Sequence, residues 1–523
     1  RQYDFLPWMK YAKLLIANPG TFLNIRRMKM EKRIKANLSI YGIISALSFI
    51  YLILTNNPGI SVPIFFVIQF ALLYYIAKNN KEAVNIKGLF ILIPIFIISL
   101  NNFISANYMM MPTNFLALIF LYSLMFLLLG NKLNILKLKI FDIVKSILNV
   151  FEPIINFIVP FRWMRERCHN KEKNILAKRI LLGISISIPA VIFLVIMLSQ
   201  ADLVFNNSFM IFNKWFEKIF EAVNIFKIVI GIFVGLYLFG QLYSVFKKED
   251  TLVNIINKND SFKHLKGDII VLNIFLTSIL IVYTIFIAIQ FKYLFSGGTL
   301  PKGLNYSEYA RRGFFELVFL SVLNIAIILL TGYLLRDKIY NGKNKWVVFT
   351  KLMLIYLCLV TAILLISSYY RMSLYDRAYG FTRLRVLVYI FLFFEALGLI
   401  ATLAYIIKHN FNILLVYAAI GLTFYLTLNL VKIDEIIAKR NVDMYLSGLA
   451  EEIDIDYLMT LSQDALPQIV RLTDSNVQIM TRVKIINYMK DISEVYNNME
   501  NNWQRYNLVI ERNKGLLEAN KDF

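Results

Sequence analysis

The sequence predicts an all-α polytopic membrane protein: about eleven spanning helices in a bundle, followed by a small helical C-terminal domain outside the membrane. Three observations carry that prediction. Hydrophobic residues fill 58% of the 523 positions and charged residues only 17%, where a soluble chain is about half apolar and about a quarter charged. The apolar residues fall in continuous runs, each near the roughly 20 residues needed to cross about 30 Å of hydrocarbon. They do not alternate as the strands of a membrane barrel would. A soluble enzyme, a disordered chain and a secreted disulfide scaffold are excluded on the same grounds.

The elements follow in order. Residues 1–37 form a basic, amphipathic N-terminal segment, and four spans follow at about 38–54, 60–77, 88–105 and 114–129. Residues 130–179 are a basic linker. Within it, 140–159 is apolar enough for a further span, but Asp142, Lys145 and Glu152 recur along it. An interfacial amphipathic helix is therefore expected there. Seven spans complete the bundle within 180–431, at about 180–198, 223–246, 267–291, 314–335, 346–367, 384–407 and 411–431. Residues 432–523 carry 11 basic and 15 acidic residues and read as short amphipathic helices, the two longest at 475–498 and 503–519.

Lysine and arginine counts give the orientation. The N-terminal segment and every second connection hold 33, and the opposite connections hold nine. The N-terminus is therefore expected in the cytoplasm, and an odd number of spans puts residues 432–523 outside. Most of the formal net charge of +22 is then topological, and nucleic acid is not expected as a partner.

Chemistry of the familiar kinds is missing. Cys168 and Cys358 are far apart, and His169, His264 and His409 are scattered, so no disulfide framework, metal site or cofactor is expected. There is no Walker sequence, GxSxG elbow, HExxH or Cys–His pair, and no catalytic residue can be named.

Two segments stand apart. YSEYARRGFFEL, from Tyr306 to Leu317, and RMSLYDRAYGFTRLR, from Arg371 to Arg385, contain six arginines and no lysine. Guanidinium suits planar two-point binding of carboxylate or phosphate better than ammonium does. An outer anion-binding site is therefore expected at Glu308, Arg311, Arg312, Glu316, Arg371, Tyr375, Arg377, Arg383 and Arg385. The alternative is that these groups pair with one another, or with Asp434, Glu435 and Asp443 of the tail, and merely staple the outer helix ends. Glu395, in the middle of the span 384–407, is the tenth candidate. A carboxyl at mid-membrane is a functional-site hypothesis by default; a structural hydrogen bond to Asn324 or Asn273 is the alternative.

These two segments, with IDEIIAKRNVDMYLSG and IDYLMTLSQDALPQIVRL after the last span and WQRYNLVIERNKGLLE from Trp503, resemble the domain-of-unknown-function 4173 family and its 4153 relative. The resemblance covers roughly 180–520. It implies a polytopic bacterial inner-membrane protein without an established activity. Three functions remain open. The preferred one is transport, or handling of a lipid or anionic envelope component, through the arginine-lined site. The alternative is a non-catalytic envelope sensor or scaffold, with an envelope protein as partner of the tail. An envelope-modifying enzyme is the least supported. Membrane lipids are partners in every case.

Overall fold

The computed structural model describes residues 32–54, 57–80, 84–167, 187, 225–247, 267–294, 314–335, 345–408, 411–473 and 477–520. Among the described residues all regular structure is helical. The first spans are α1 (Lys32–Leu52), α2 (Ser61–Asn79), α3 (Leu92–Ile104, led by the 3-10 turn Ile86–Ile91) and α4 (Met111–Leu129). A helix–break–helix follows, formed by α5 (Ile140–Asn149), the single turn α6 (Glu152–Ile155) and α7 (Ile158–Arg167). The remaining spans are α8 (Ile225–Phe246), α9 (Ile269–Leu294), α10 (Phe314–Leu334), α11 (Lys345–Tyr379), α12 (Arg383–Lys408) and α13 (Ile413–Leu430). Ten described helices are long and apolar enough to cross a membrane, and the bent α5–α7 pair is the only further candidate among the described residues. The spans expected from the sequence are thus found, apart from 180–198. That segment lies outside the described residues.

The spanning helices bury small faces and leave large apolar side chains outward, among them Val271, Ile274, Ile281 and Val282 of α9. Lipid is the solvent that such a surface suits. One apolar core joins α1–α4 with α8, and a second joins α9–α12. Close approach within the first core depends on Gly231 and Gly235, whose GIFVG spacing is that of a small-residue packing face. A side chain at Gly231 would strike Ile50, and one at Gly235 would meet Ala46 and the Gly42 carbonyl. Helices α1 and α8 are therefore antiparallel, with the start of α8 beside the end of α1.

The two ends of the bundle differ in charge and in what covers them. One end gathers the turns after α1, α3, α11 and α13. There the Gly59 and Ile60 N–H groups donate to the Gln504 and Tyr506 carbonyls of the tail, at 2.8 and 2.9 Å. A Cβ on Gly59 would lie 2.3 Å from the Tyr506 carbonyl oxygen, so only glycine admits this backbone approach. The other end gathers the lysine-bearing connections. Asn85 bonds Asn131 across two of them, and Asn412 donates to the Leu138 carbonyl across a third. Residues 432–520 thus cover the lysine-poor end.

The tail consists of α14 (Ile433–Leu446), α15 (Ile455–Met459), α16 (Leu466–Val470), α17 (Ile479–Asn497) and α18 (Leu508–Ala519). It has a core of its own around Ile437, Leu458, Leu466, Ile485 and Ile492. Asn507 caps α18 with its carbonyl oxygen and donates from Nδ2 to the Asn102 and Ser105 carbonyls at the end of α3. Helix α11 is 35 residues long, or about 52 Å, where the hydrocarbon core is about 30 Å thick. Its last turns pack against α12 at the corner beside the tail.

The segment expected as an interfacial helix is a helix–break–helix. Its polar residues turn to the protein: Glu152 pairs with Lys247 at 3.2 Å, and Asn149 bonds Ser123. Lys145 donates to the Lys132 carbonyl, and Asp142 caps α5 at the Lys139 N–H. The outward face carries Ile143, Ile147, Phe151 and Ile154. Ser146, Asn149, Glu152 and Asn156 are buried against the protein, while Asp142 and Lys145 stay partly exposed at the start of the pair.

Candidate functional site

At the tail end of the bundle the chain turns sharply from α11 into α12. Gly380 sits at φ +72, a conformation that costs other residues about 1–2 kcal/mol. Its partner in the turn is Asn441 of α14, which brackets Phe381. The Phe381 N–H donates to Asn441 Oδ1 at 2.8 Å, and Asn441 Nδ2 donates to the Phe381 carbonyl at 2.9 Å. Arg385, one turn into α12, folds back over the corner. Its guanidinium lies 4.1 Å from the centre of the Tyr375 ring, donates to the Gly380 carbonyl, and pairs with Asp376 at 3.6 Å.

Arg383 points the other way, into the tail. Its Nε and Nη2 donate to the two oxygens of Asp434 at 2.6 and 2.7 Å, the two-point geometry that guanidinium favours. Asp434 also accepts the Ser462 N–H at 2.9 Å. Burial pushes this carboxyl upward, but the Arg383 guanidinium and the Ser462 donor outweigh it and hold the group below the usual aspartate value. Of the three tail acids singled out in the sequence, only Asp434 reaches the bundle. Glu435 pairs with Arg512, and Asp443 with Arg471, inside the tail.

The expected arginine site therefore resolves into parts. Arg371, Tyr375, Arg383 and Arg385 gather at one corner of the bundle; Arg371 is buried in the late turns of α11. Arg383 and Arg385 are held by ion pairs, as the stapling alternative anticipates. Glu316 lies exposed in the first turn of α10. Glu308, Arg311, Arg312 and the Arg377 side chain lie outside the described residues.

Glu395 is buried, 8% exposed, in the middle of α12. Its partner is neither of the asparagines expected. Asn324 accepts a hydrogen bond from Tyr283, and Asn273 one from Thr350. Ser321 of α10 lies instead 2.5 Å from Glu395 Oε1, and the same hydroxyl lies 2.7 Å from the Val318 carbonyl. Glu395 Oε2 has no hydrogen-bond partner. Leu392 and Leu399 on α12 and Leu357, Cys358 and Leu364 on α11 form the apolar core around this region. One turn farther along α12, Tyr417 bonds Thr402 and the Gly398 carbonyl, and Gly398 leaves room for the Tyr417 ring. The polar group that sequence reasoning missed is Ser321: a serine in an apolar run gives no signal until the facing acid is known.

The tail seam holds a second buried acid. Asp464 Oδ2 accepts from the Ser105 hydroxyl at 2.7 Å and from the Ala106 N–H at 3.2 Å. Burial pushes this carboxyl above the usual aspartate value despite those donors.

A family profile matches residues 42–472: a domain of unknown function, DUF4153. The matching profile is the 4153 relative of the pair the motifs suggested. It begins within α1, so the first spans belong to the same unit as the motif-bearing ones, and it ends before the segment from Trp503. No curated protein and no solved structure matches the chain.

Proposed function

We propose, for a chain that belongs to the DUF4153 family and is integral to the membrane, that it moves or handles a membrane-borne or anionic envelope component and that Glu395 carries a proton in the process. One observation supports this above the others: a buried carboxyl at mid-helix with one oxygen on Ser321 and the other without a donor. A serine hydroxyl has a single proton. While that proton serves the Val318 carbonyl, the short contact to Glu395 is made by the proton of a carboxylic acid. When the proton leaves, Ser321 can turn its own toward the carboxylate. The contact to Ser321 can thus be kept in two states that differ by one proton, while Oε2 stays open to a further donor, which is what a proton-coupled step requires. Arg383 and Arg385 then serve to fasten the corner above it, rather than to hold the cargo.

The test is proton flux and uptake of anionic lipids or solutes in proteoliposomes. Glu395→Gln removes the exchangeable proton at nearly constant shape and should abolish pH-dependent transport. Unchanged flux and an unchanged pH profile would discard the proposal.

A second reading, a sensor or scaffold, has its own support. Ile479 and Met480, at the start of the longest tail helix, are 83% and 70% exposed, an apolar patch suited to a protein partner. If this reading holds, Ile479→Asp with Met480→Asp removes function while insertion and Glu395-dependent flux are untouched.

A further inference from the structure

We propose that the pair α5–α7 is a membrane-inserted element that does not cross, with its outward face on lipid acyl chains of the lysine-rich leaflet. Four observations converge on it. The pair bends by 44° at its break, and the polar side around that break, Asn149, Glu152 and Asn156, is buried in the protein. Glu152 and Lys247 form a buried ion pair, Asn156 donates to the Gly240 carbonyl, and a side chain on Gly240 would strike Pro153. Water at the outward face would therefore meet an apolar surface that includes Ile143, Ile147, Phe151, Ile154, Ile158 and Phe161.

Both ends of the pair lie at the lysine-rich end of the bundle. At the start, Lys145 donates to the Lys132 carbonyl in the turn after α4. At the finish, Trp163 lies beneath the Lys35 amine, 5.1 Å away, in the first turn of α1. Between them Phe157 packs edge-on against Phe233, with centroids 5.1 Å apart. Phe233 is 13 residues before the end of α8, about 20 Å along the axis. It is also part of the outward apolar surface of a spanning helix. The outward face of the pair therefore continues that surface at mid-depth, so the two share one solvent.

Cations flank the pair in the sequence, Lys137 and Lys139 before it and Arg162 near its close. They stand where anionic headgroups would meet them. Tryptophan at the exit suits the same interface. Because the pair returns to the end it left, it does not itself change the side of the tail.

The experiment places nitroxide labels on the full chain in vesicles, after Cys168 and Cys358 are replaced by Ala. Labels at Phe151→Cys and Ile154→Cys are compared with Phe233→Cys on the spanning surface and Leu449→Cys on the tail. Oxygen should relax the pair's labels as it does at 233, and a water-soluble nickel chelate should not. In sealed vesicles, Lys139→Cys and Arg162→Cys should react with an impermeant maleimide from one side, and Leu449→Cys from the other. Relaxation by nickel as strong as at 449 overturns the proposal in favour of a water-facing helix. Silence to both agents overturns it in favour of a protein-covered face, and labelling of 162 together with 449 makes the pair a full span. Should the cysteine-free chain fail to fold, Phe151→Trp in the native chain gives a second test. Its added fluorescence should be quenched by brominated acyl chains, and added fluorescence that they leave untouched overturns the proposal as well.

Discussion

Among the described residues, Arg383 and Asp434 form the single charged link in which both oxygens of a tail carboxylate are held by the bundle, at 2.6 and 2.7 Å. The Asp434 side chain is 1% exposed and that of Arg383 26%. Removing either partner leaves the other charge partly desolvated. Arg383→Ala should weaken the tail–bundle junction by about 3 kcal/mol, the low end for a broken buried pair. Limited proteolysis between α13 and α14 reads this directly; a cleavage rate equal to that of the unaltered chain would count against the pair.

The same link gives a pH dependence. Asp434 titrates below its ordinary value in the folded chain. Its contribution is therefore complete above the ordinary aspartate range and is lost as pH falls through the lowered folded value. Tail docking should loosen in acid, and Asp434→Asn should flatten that part of the profile.

Asp464 works with the opposite sign. Its folded value is raised, so the protonated form favours docking and stability is lost as pH rises from the ordinary value through the raised one. Asp464→Asn should strengthen the seam above that window and change little below it. Thermal unfolding of the tail followed across pH, with both variants, separates the two aspartates. Two profiles of the same sign would refute the assignment.

Glu152 and Lys247 are 2% and 9% exposed at their side chains. Lys247→Met alone strands a buried carboxylate and should cost about 3–5 kcal/mol, while adding Glu152→Gln should recover much of the loss. A double-mutant cycle on detergent unfolding measures the coupling. Additive losses would show that the two groups act separately.

Gly59→Ala places a methyl where the Tyr506 carbonyl stands. Overpacking of this kind costs about 1–3 kcal/mol, and it should appear as faster hydrogen exchange at the Gly59 and Ile60 amides. Protection equal to that of the parent would mean that the turn can shift freely.

The bundle was legible because lipid imposes one rule on every span, and continuous apolar runs obey it from Leu38 to Leu430. The corner at Gly380 was half legible. Arginine without lysine marked it, but an arginine that binds cargo and one that binds Asp434 have the same sequence neighbourhood. Only the fold brings α14 to α12. The partners of the α5–α7 polar residues were hidden for a related reason. Asp142, Lys145 and Glu152 at helical spacing look alike whether they face water or Lys247. Glu395 was legible as a burial cost, and its partner was not, since hydrogen bonds between helices depend on which faces meet.

The length of α11 has a mechanical side. A rod about 52 Å long through about 30 Å of hydrocarbon either leans or projects about 20 Å past it. Because its late turns join α12 at the corner clamped by Asn441 and Arg385, any change in the lean of this one rod would be carried by that corner to the tail residues bound there.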